Sequence, residues 1–386
     1  MDFELNEDQI AFQDLARDFA NRELAPNAAR WDAECIFPVD TLRMAGELGF
    51  CGVYSPEDVG GLGLSRLDAT IIFEALAGGC TSTTAFITIH NMATWMLTTF
   101  GQSVLREEWG PPLTSGQKLA SYCLTEPGAG SDAGSLRTRA EKDGDHYLLS
   151  GSKVFISGAG DTDMLVVMAR TGENGPAGVT AFAVPADAEG ISYGRKEEKM
   201  GWNSQPTRAI TFDKVPVPAA NRLGKEGEGF KIAMKGLDGG RLNVATCSVG
   251  TAQAALEAAR TYAGERKQFG QHLAQFQAIQ FKLADMATEL VAARQMVRLG
   301  ASKLDAGHPE ATTYCAMAKR LATDLGFRIC NEALQIHGGY GYIREYPLER
   351  FVRDTRVHQI LEGTNEIMRL IIARRLLADG AEERIR

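Results

Sequence analysis

The sequence predicts an α+β protein in which a helical domain, an antiparallel β domain and a second helical domain follow one another along the chain. Apolar residues recur with a helical period up to about residue 115. Short runs rich in β-branched and aromatic residues, divided by glycine-rich turns, replace that period between about 117 and 225. The helical period then returns. We therefore expect domains at residues 1–116, 117–226 and 227–386.

The first domain is expected to consist of helices joined by glycine-rich loops. Asn6 and Gln9 have the spacing of a capping box, and Pro26 is expected to end the helix that they start. Ser65 is predicted to cap a later helix. Further helices are predicted at 39–48, 65–76 and 82–100.

Six short runs predict the strands of the central domain, and turn signals such as those at 143–145 and 158–160 separate them. Runs of this kind, joined by tight turns, favour antiparallel pairing. The predicted strands lie at 118–124, 147–150, 154–157, 164–169, 179–184 and 209–212.

Long helices joined by short loops predict an antiparallel bundle in the last third of the chain. One long helix starts near Phe230 and ends before Gly270. The others are expected at 276–304, 312–336 and 365–379.

Composition excludes several classes of function. The chain has 386 residues, 44% of them hydrophobic, which is enough for a large core, and its formal net charge of −8 argues against a nucleic-acid binder or a binder of anionic membranes. An apolar run of membrane-spanning length is missing from the sequence.

The seven cysteines are scattered, so we expect free thiols in a reducing compartment. The six histidines lack metal-ligand spacing, so we predict no metal site. The acidic start shows no targeting peptide, which predicts a cytoplasmic protein, or a mitochondrial matrix protein if a transit peptide was removed.

The best candidate for a catalytic group is Glu362. It follows the apolar pair Ile360 and Leu361 and lies just before a predicted helix start. Burial would raise the pKa of such a carboxyl group and the helix N-terminus would lower it, so a base able to take a proton from carbon is physically attainable. Taken alone, a glutamate in this setting is more often a solvated turn residue.

A glycine-rich loop follows the first predicted strand. Gly128, Gly130 and Ala133 superficially fit the dinucleotide-binding fingerprint, but the residues that follow are predicted to be strands rather than a helix, so we reject a Rossmann unit. The hydroxyls of Thr125 and Ser131 and exposed backbone N–H groups could hold a flat polar ring or a phosphate. Most loops of this composition are only turns.

Two arginines in the last domain could bind phosphate. Arg241 and Arg266 are candidates because the guanidinium group is planar and permanently charged. Surface ion pairs are the more common role of either residue considered alone. Gln277 and Gln335, near predicted helix ends, would ordinarily be solvated amides. A stripe of Met92, Trp95, Met96 and Phe100 could line a pocket, although core is the more common role of such a stripe.

Five segments, in this order and across nearly the whole chain, resemble the acyl-CoA dehydrogenase family of flavoproteins. The matching segments are YCLTEPGAGSD at 122–132, FISG at 155–158, RKQFG at 266–270, QIHGG at 335–339 and LEGT at 361–364. The resemblance implies a helical domain, a β-barrel-like domain and a four-helix bundle, which agrees with the organisation predicted from periodicity. It also implies FAD as cofactor and a homotetramer.

The resemblance assigns the cofactor contacts to three groups of residues. One group would lie along the isoalloxazine ring and ribityl chain, a second would reach the pyrophosphate and adenine of FAD in a neighbouring subunit, and a third would touch the flavin of its own subunit. The first group is Tyr122, Cys123, Leu124, Thr125, Gly130, Ser131, Phe155, Ile156 and Ser157; the second is Arg266, Phe269, Gln277, Gln335, Gly338 and Gly339; the third is Thr364, Asn365 and Glu366. Phe155 and Ser157 stand where many members have Trp and Thr.

The resemblance also implies the reaction. Glu362 would remove the α-proton of an acyl-CoA while hydride leaves the β-carbon for the flavin, and fixed donors would meet the charge that develops on the thioester oxygen. Ser131, Asp238, Arg241 and Gly363 would contact the acyl-CoA. Some relatives carry the base at the position of Gly240, immediately before the arginine, so this chain has one candidate base.

Two further segments, 199–208 and 356–362, are similar to family members that oxidise isobutyryl-CoA in valine degradation. Such a member passes its electrons to an electron-transferring flavoprotein. The open alternatives are another short-chain member, acting on 2-methylbutyryl- or butyryl-CoA, an acyl-CoA oxidase whose flavin reacts with oxygen, and a non-catalytic scaffold protein that keeps the fold.

Overall fold

Helical, β and helical blocks follow one another in the computed structural model, which describes residues 4–378, 380, 384 and 385. Parts of the predicted first and last domains, namely residues 1–3, 379, 381–383 and 386, lie outside the described residues. The helices of the first block are α1 (Glu7–Phe19), α2 (Ala25–Glu34), α3 (Val39–Glu47), α4 (Arg66–Gly79), α5 (Thr81–Phe100) and α6 (Ser103–Thr114).

The prediction that Pro26 ends the first helix is wrong. A π-helical turn (Ala20–Leu24) joins α1 to α2, and Pro26 lies in the first turn of α2. Backbone N–H groups in that turn have no partner within the helix, so a residue without an N–H is tolerated there. The predicted capping box is confirmed, because the Asn6 side chain accepts a hydrogen bond from the Gln9 backbone N–H at 2.8 Å.

A single eight-stranded sheet forms the middle of the chain. Its path runs β6-β7-β3-β2-β4-β5-β8, and β1 pairs with β4 beside that path. The strands are β1 (Ala120–Cys123), β2 (Arg139–Asp143), β3 (His146–Ser157), β4 (Met164–Arg170), β5 (Val179–Pro185), β6 (Ile191–Tyr193), β7 (Thr207–Pro218) and β8 (Arg222–Leu223).

Two pairings in this sheet are parallel, which corrects the expectation of a purely antiparallel domain. β1 pairs in parallel with residues 164–167 of β4, and β2 pairs in parallel with β4 through Arg139 and Arg170. Both edges of β3 are taken by β2 and β7, so β4 joins the far side of β2 instead of continuing the hairpin order. All the other pairs are antiparallel.

Strand β4 is buried on both of its faces, which accounts for its unbroken apolar sequence. Because side chains alternate along a strand, Met164, Val166 and Met168 contact a core shared with the helical blocks. Leu165 and Val167 face the opposite way, into the interior of the β block. The strand therefore belongs to both hydrophobic cores, and its parallel pairing with β1 positions the end of β1.

The last block is a bundle of long helices. Helix α7 (Gly229–Glu265) contributes to two cores, since Ile232 packs beside the β block and Val249 packs within the bundle. A small hairpin of β9 (Lys267–Gln268) and β10 (Gln271–His272) follows α7. The remaining helices are α8 (Gln277–Asp305), α9 (Ala311–His337), α10 (Gly339–Tyr342), α11 (Leu348–Arg356) and α12 (Asn365–Leu376).

The predicted class, with its helical, β-barrel-like and helical-bundle parts, is thus confirmed. None of the helices in the described part of the chain combines the length and hydropathy needed to cross a bilayer.

Candidate active site

A cavity of about 1500 Å³ lies where the three blocks meet. Its walls come from the loop after β1, the end of β3, helix α7 and the segment that joins α11 to α12. Twelve of the residues singled out in the sequence line this cavity: Tyr122, Leu124, Thr125, Gly130, Ser131, Phe155, Ile156, Ser157, Arg241, Glu362, Gly363 and Thr364. The structure therefore brings together residues that are separated by up to 242 positions in the chain, from Tyr122 to Thr364.

Glu362 lies on the cavity wall, immediately before α12. The residue as a whole is partly accessible because it faces the cavity, but its Oε2 atom is buried and has no hydrogen-bond partner among the described residues. Burial raises the pKa of this carboxyl group to about 7, although the nearby charges of Arg241 and Lys319 act to lower it. A carboxylate without a partner, facing a cavity, is available to a ligand.

The backbone at this point adopts a conformation that few side chains favour. Glu362 has φ 55° and Gly363 has φ 89°, so two successive residues lie in the left-handed region. Thr364 then caps α12, since its Oγ1 accepts a hydrogen bond from the Ile367 N–H at 3.3 Å. The turn places the Glu362 side chain toward the cavity while the helix starts beside it.

Gly240 on α7 makes room for the Glu362 carboxylate. A Cβ atom built at Gly240 would lie 2.5 Å from Glu362 Oε2, closer than Cβ atoms in real structures approach, and 3.1 Å from Met92 Sδ, which is a tight contact. Any other residue at 240 would have to displace the carboxylate. A side chain at position 240 and the carboxylate of Glu362 would therefore occupy the same part of the cavity, which agrees with the expectation of a single base.

Arg241 is a buried residue rather than one member of a surface ion pair. Its Nη1 donates a hydrogen bond to Asp238 Oδ1 at 2.5 Å, and Asp238 Oδ2 accepts another from Thr312 Oγ1 at 2.7 Å. Burial raises the pKa of Asp238 against the opposing effect of Arg241. The Nε of Arg241 has no partner among the described residues, so this cation keeps a donor for a ligand in the cavity.

A buried ion pair supports the glycine-rich loop after β1. Lys153 Nζ donates to the Leu124 carbonyl at 2.9 Å and to Glu126 Oε1 at 2.8 Å. The Glu126 carboxylate also accepts the backbone N–H groups of Arg137 and Thr138. Every bond of this group holds the loop backbone in place, and the side chains of Leu124 and Thr125 are left facing the cavity.

Phe155 is the most unusual residue on the wall from the β block. It has φ 58° at an irregularity in the β3–β7 pairing and is 69% exposed, on a strand where aromatic side chains are usually buried. Strained backbone of this kind is concentrated at binding sites. Across the loop, the Tyr122 hydroxyl is buried without a partner among the described residues. An exposed ring and an unpaired hydroxyl suit a flat ligand with polar edges.

Some sequence-predicted residues do not line this cavity. Cys123 is buried in the core of the β block, Asp238 is bound to Arg241, and Glu366 is exposed. The Asn365 side chain is buried against α9, where its Nδ2 donates to Asp324 Oδ1 at 2.7 Å.

A second, smaller cavity of about 440 Å³ contains three of the residues expected to reach a neighbouring subunit's cofactor, namely Arg266, Gly338 and Gly339. The Arg266 guanidinium lies 5.5 Å from the centre of the Tyr340 ring. The other three residues expected in this group are exposed nearby in sequence: Phe269, 94% exposed at the tip of the β9–β10 hairpin, Gln277 and Gln335. No residue of this group lines the first cavity in the described part of the chain.

Sequence reasoning missed Lys319, and it assigned no role to Trp202 although Trp202 lies in the segment 199–208. Lys319 is fully buried and binds the turn after Glu362, and Trp202 lines the first cavity with φ 56°. A single lysine within a helical pattern and a tryptophan in a loop carry no periodic or spacing signal. Met92 and Met96, weighed as pocket residues, lie in the core. Among the described residues, no cluster of three or more His, Cys, Asp or Glu side chains could hold a metal ion.

Comparison with known proteins gives matches along the whole chain. Family models for the N-terminal, middle and C-terminal domains of acyl-CoA dehydrogenase match residues 6–117, 121–215 and 227–377. The mitochondrial isobutyryl-CoA dehydrogenase of Bos taurus is 57% identical over 97% of this chain and 90% of its own length.

Two solved structures have nearly the same fold as this chain. The butyryl-CoA dehydrogenase of Megasphaera elsdenii is 41% identical with a TM-score of 0.95, over 98% of this chain and 100% of that chain. A chain from a structural study of the electron transferring flavoprotein of Acidaminococcus fermentans is 40% identical with a TM-score of 0.96, over the same shares.

Proposed function

Because the chain belongs to the acyl-CoA dehydrogenase family, we propose that this oxidoreductase converts isobutyryl-CoA to methacrylyl-CoA, as in valine degradation. The observation that carries the proposal is the Glu362 carboxylate, which has a buried, unpaired oxygen on the wall of a large cavity. The same cavity presents the Arg241 guanidinium and the loop after β1. A base, a cation and a cradle for a flat ring in one space are what the reaction requires.

The proposed reaction breaks one C–H bond at the α-carbon and one at the β-carbon and forms a double bond between them. Glu362 takes the α-proton, and its pKa of about 7, raised by burial, leaves a useful fraction of carboxylate at neutral pH. When bound, FAD supplies the acceptor for the hydride that leaves the β-carbon. Negative charge that develops on the thioester oxygen needs fixed donors, and the Glu362 backbone N–H is one such donor in our proposal.

Acyl-CoA contacts are proposed for four residues. Ser131, Arg241 and Gly363 line the same cavity as the base. Asp238 acts through Arg241, because its carboxylate holds the guanidinium on one side and leaves the Nε free on the other.

FAD is proposed as the cofactor because the residues present fit a flavin. Family members depend on FAD. Here one side of the cavity is lined by Tyr122, Leu124, Thr125, Gly130, Ser131 and the residues 155–157. The exposed Phe155 ring offers a stacking surface. Gly128 and Gly130 have no atoms within 4 Å of a built Cβ, so the loop backbone is open to a ligand.

The second cavity supports a homotetramer in which subunits share their cofactor sites. Arg266 and the residues 335–339 lie apart from the cavity that holds Glu362. We propose that they bind the pyrophosphate and adenine of an FAD that is seated in another subunit. Exposed apolar side chains near them, such as Phe269 and Tyr342, fit a surface that is covered in an assembly.

A short branched substrate is proposed from the comparisons. Over the aligned residues the bovine isobutyryl-CoA enzyme is 57% identical to this chain, against 41% for the butyryl-CoA enzyme of known structure. A dye-linked assay over isobutyryl-, 2-methylbutyryl-, butyryl- and isovaleryl-CoA tests this choice. We expect the highest kcat/KM with isobutyryl-CoA, by about 10-fold or more, since one methyl or methylene group is worth about 1–3 kcal/mol.

Three outcomes would contradict these proposals at different levels. A straight-chain substrate with the highest kcat/KM would overturn the choice of isobutyryl-CoA. Stoichiometric peroxide without an added acceptor would favour an oxidase. Protein that is colourless and takes up no FAD would remove the reaction altogether.

The proposed electron acceptor is an electron-transferring flavoprotein. The 40% identity to a chain studied with the flavoprotein of Acidaminococcus fermentans supports this partner. Reduction of purified flavoprotein, followed by its absorbance, should need both the enzyme and isobutyryl-CoA. For location we propose the cytoplasm, or the mitochondrial matrix, since the name of the bovine relative calls that protein mitochondrial.

A further inference from the structure

Helix α9 presents a buried lysine to the turn that carries Glu362. Lys319 is completely buried, and its Nζ donates to the Gly363 carbonyl at 2.7 Å and to Asn365 Oδ1 at 2.9 Å. Both acceptors are uncharged. Burying a cation away from a direct counter-charge is costly, so a lysine in such a place is expected to have a use.

The same face of α9 fixes the start of α12. Thr323 Oγ1 lies 2.9 Å from Asn365 Nδ2, and Asp324 Oδ1 accepts a second bond from that nitrogen at 2.7 Å. The bound residues, 363 and 365, lie one and three positions after Glu362. Since Glu362 and Gly363 both have a positive φ, this strained turn depends on such contacts to keep its shape.

Lys319 is also close enough to the Glu362 carboxyl group to interact with its charge. Of the charged groups around Lys319, Glu362 has the largest effect favouring the ammonium form. The other titratable or charged groups that face Lys319 or Glu362 from the packed elements are Tyr54, Tyr122, Arg241, Asp324, His358 and Glu366.

We propose that Lys319 is a positioning residue for the proposed base: its ammonium group fixes the 362–365 turn and favours the charged carboxylate that accepts the substrate proton. The inference rests on the proposed role of Glu362, but nothing in the sequence pattern or the family resemblance assigns Lys319.

Simple electrostatics gives the direction of the effect. Burial raises the pKa of Glu362 to about 7, and the Lys319 charge holds it below the value that burial alone would give. Burial lowers the pKa of Lys319 to about 7, while Glu362 acts to raise it. The two groups therefore titrate as a coupled pair near neutral pH. Without the lysine, Glu362 would stay protonated to a higher pH and could not act as a base there.

The test compares two variants on the same face of α9. Lys319→Met removes the charge with little change of volume, whereas Thr323→Val removes the hydrogen bonds between the Thr323 hydroxyl and the Asn365 side chain and no charge. The measurement is the pH profile of kcat/KM with isobutyryl-CoA. For Lys319→Met we expect the acid limb to move up by about 1 pH unit, which is about a 10-fold loss of rate on that limb. For Thr323→Val we expect a loss of a few-fold at every pH, with the acid limb unmoved.

Lys319→Gln serves as the second variant if Lys319→Met does not fold, because it keeps a donor for the Gly363 carbonyl without the charge. It should show the same shift of the acid limb. Two results would overturn the inference: a folded, flavin-containing charge-free variant whose acid limb matches that of the wild type, or failure of both variants to give folded protein, which would make Lys319 a folding determinant. Wild-type protein without any acyl-CoA oxidation would instead overturn the proposed function.

Discussion

Replacing Glu362 with glutamine should strongly reduce kcat and, at alkaline pH, stabilise the protein. Burial raises the pKa of Glu362 from its ordinary 4.5 to about 7. The folded protein therefore binds this proton more tightly than the unfolded chain does. The stabilisation from the protonated group is complete below about pH 4.5 and is lost as the pH rises through about 7.

The size of the effect follows from the two pKa values. Each unit of difference corresponds to about 1.4 kcal/mol, so ionised Glu362 costs the fold about 3 kcal/mol above pH 8. Glutamine has nearly the same shape without the charge. For a chain of this length, about 3 kcal/mol corresponds to a rise in melting temperature of about 4 °C. Near pH 4.5 the difference should fall below about 1 kcal/mol.

Calorimetric melting of wild type and Glu362→Gln at pH 5 and pH 8.5, together with the isobutyryl-CoA assay, measures both effects. We expect kcat to fall by about 10²–10⁴-fold, the usual contribution of a general base. Glu107→Gln, at an exposed position on α6, is the matched control and should change neither quantity. A melting temperature that is equal or lower at pH 8.5, or an increase that is the same at both pH values, would refute the reasoning.

Two further substitutions test the surroundings of the base. Gly240→Ala places a Cβ 2.5 Å from Glu362 Oε2, so kcat should fall by about 10-fold or more. Gly264→Ala, on the same helix, places a Cβ with no atom within 4 Å and should be neutral. Equal activity of the two variants would contradict the geometry. Lys153→Met leaves the Glu126 carboxylate buried without its cation, which should lower the free energy of unfolding, measured with urea, by about 3–5 kcal/mol. Adding Glu126→Gln to the same chain should restore part of that loss. An unchanged urea midpoint would show that the pair does not support the loop.

The sequence predicted the fold well because the hydrophobic period differs so clearly between its three parts. It was harder to predict from the sequence which strands pair with each other. The runs at 147–150 and 154–157 form one strand, β3, because the irregularity that turns Phe155 outward interrupts the pattern without ending the strand. The parallel contact between β1 and β4 joins residues more than 40 positions apart, and no local pattern specifies it.

The candidate site was only partly predictable for the same reason. Glu362 could be found because Gly363 and Thr364 mark a turn and a helix start next to it. The space that receives its carboxylate depends on Gly240, 122 positions earlier, and that proximity is a property of helix packing. Lys319 was missed because its hydrogen bonds cross from one helix to the turn before another.

These contacts explain how a turn can hold the proposed catalytic group, Glu362, accurately. Turns with positive φ are strained, and a lone turn would let the carboxylate of Glu362 move. Here the position is fixed from three sides by rigid helices: α7 leaves a space at Gly240, α9 anchors the backbone through Lys319, and α12 starts at the Thr364 cap. The precision of the base then comes from the packing of the bundle. Changes deep in that packing, far from any ligand, should therefore lower kcat before they weaken substrate binding.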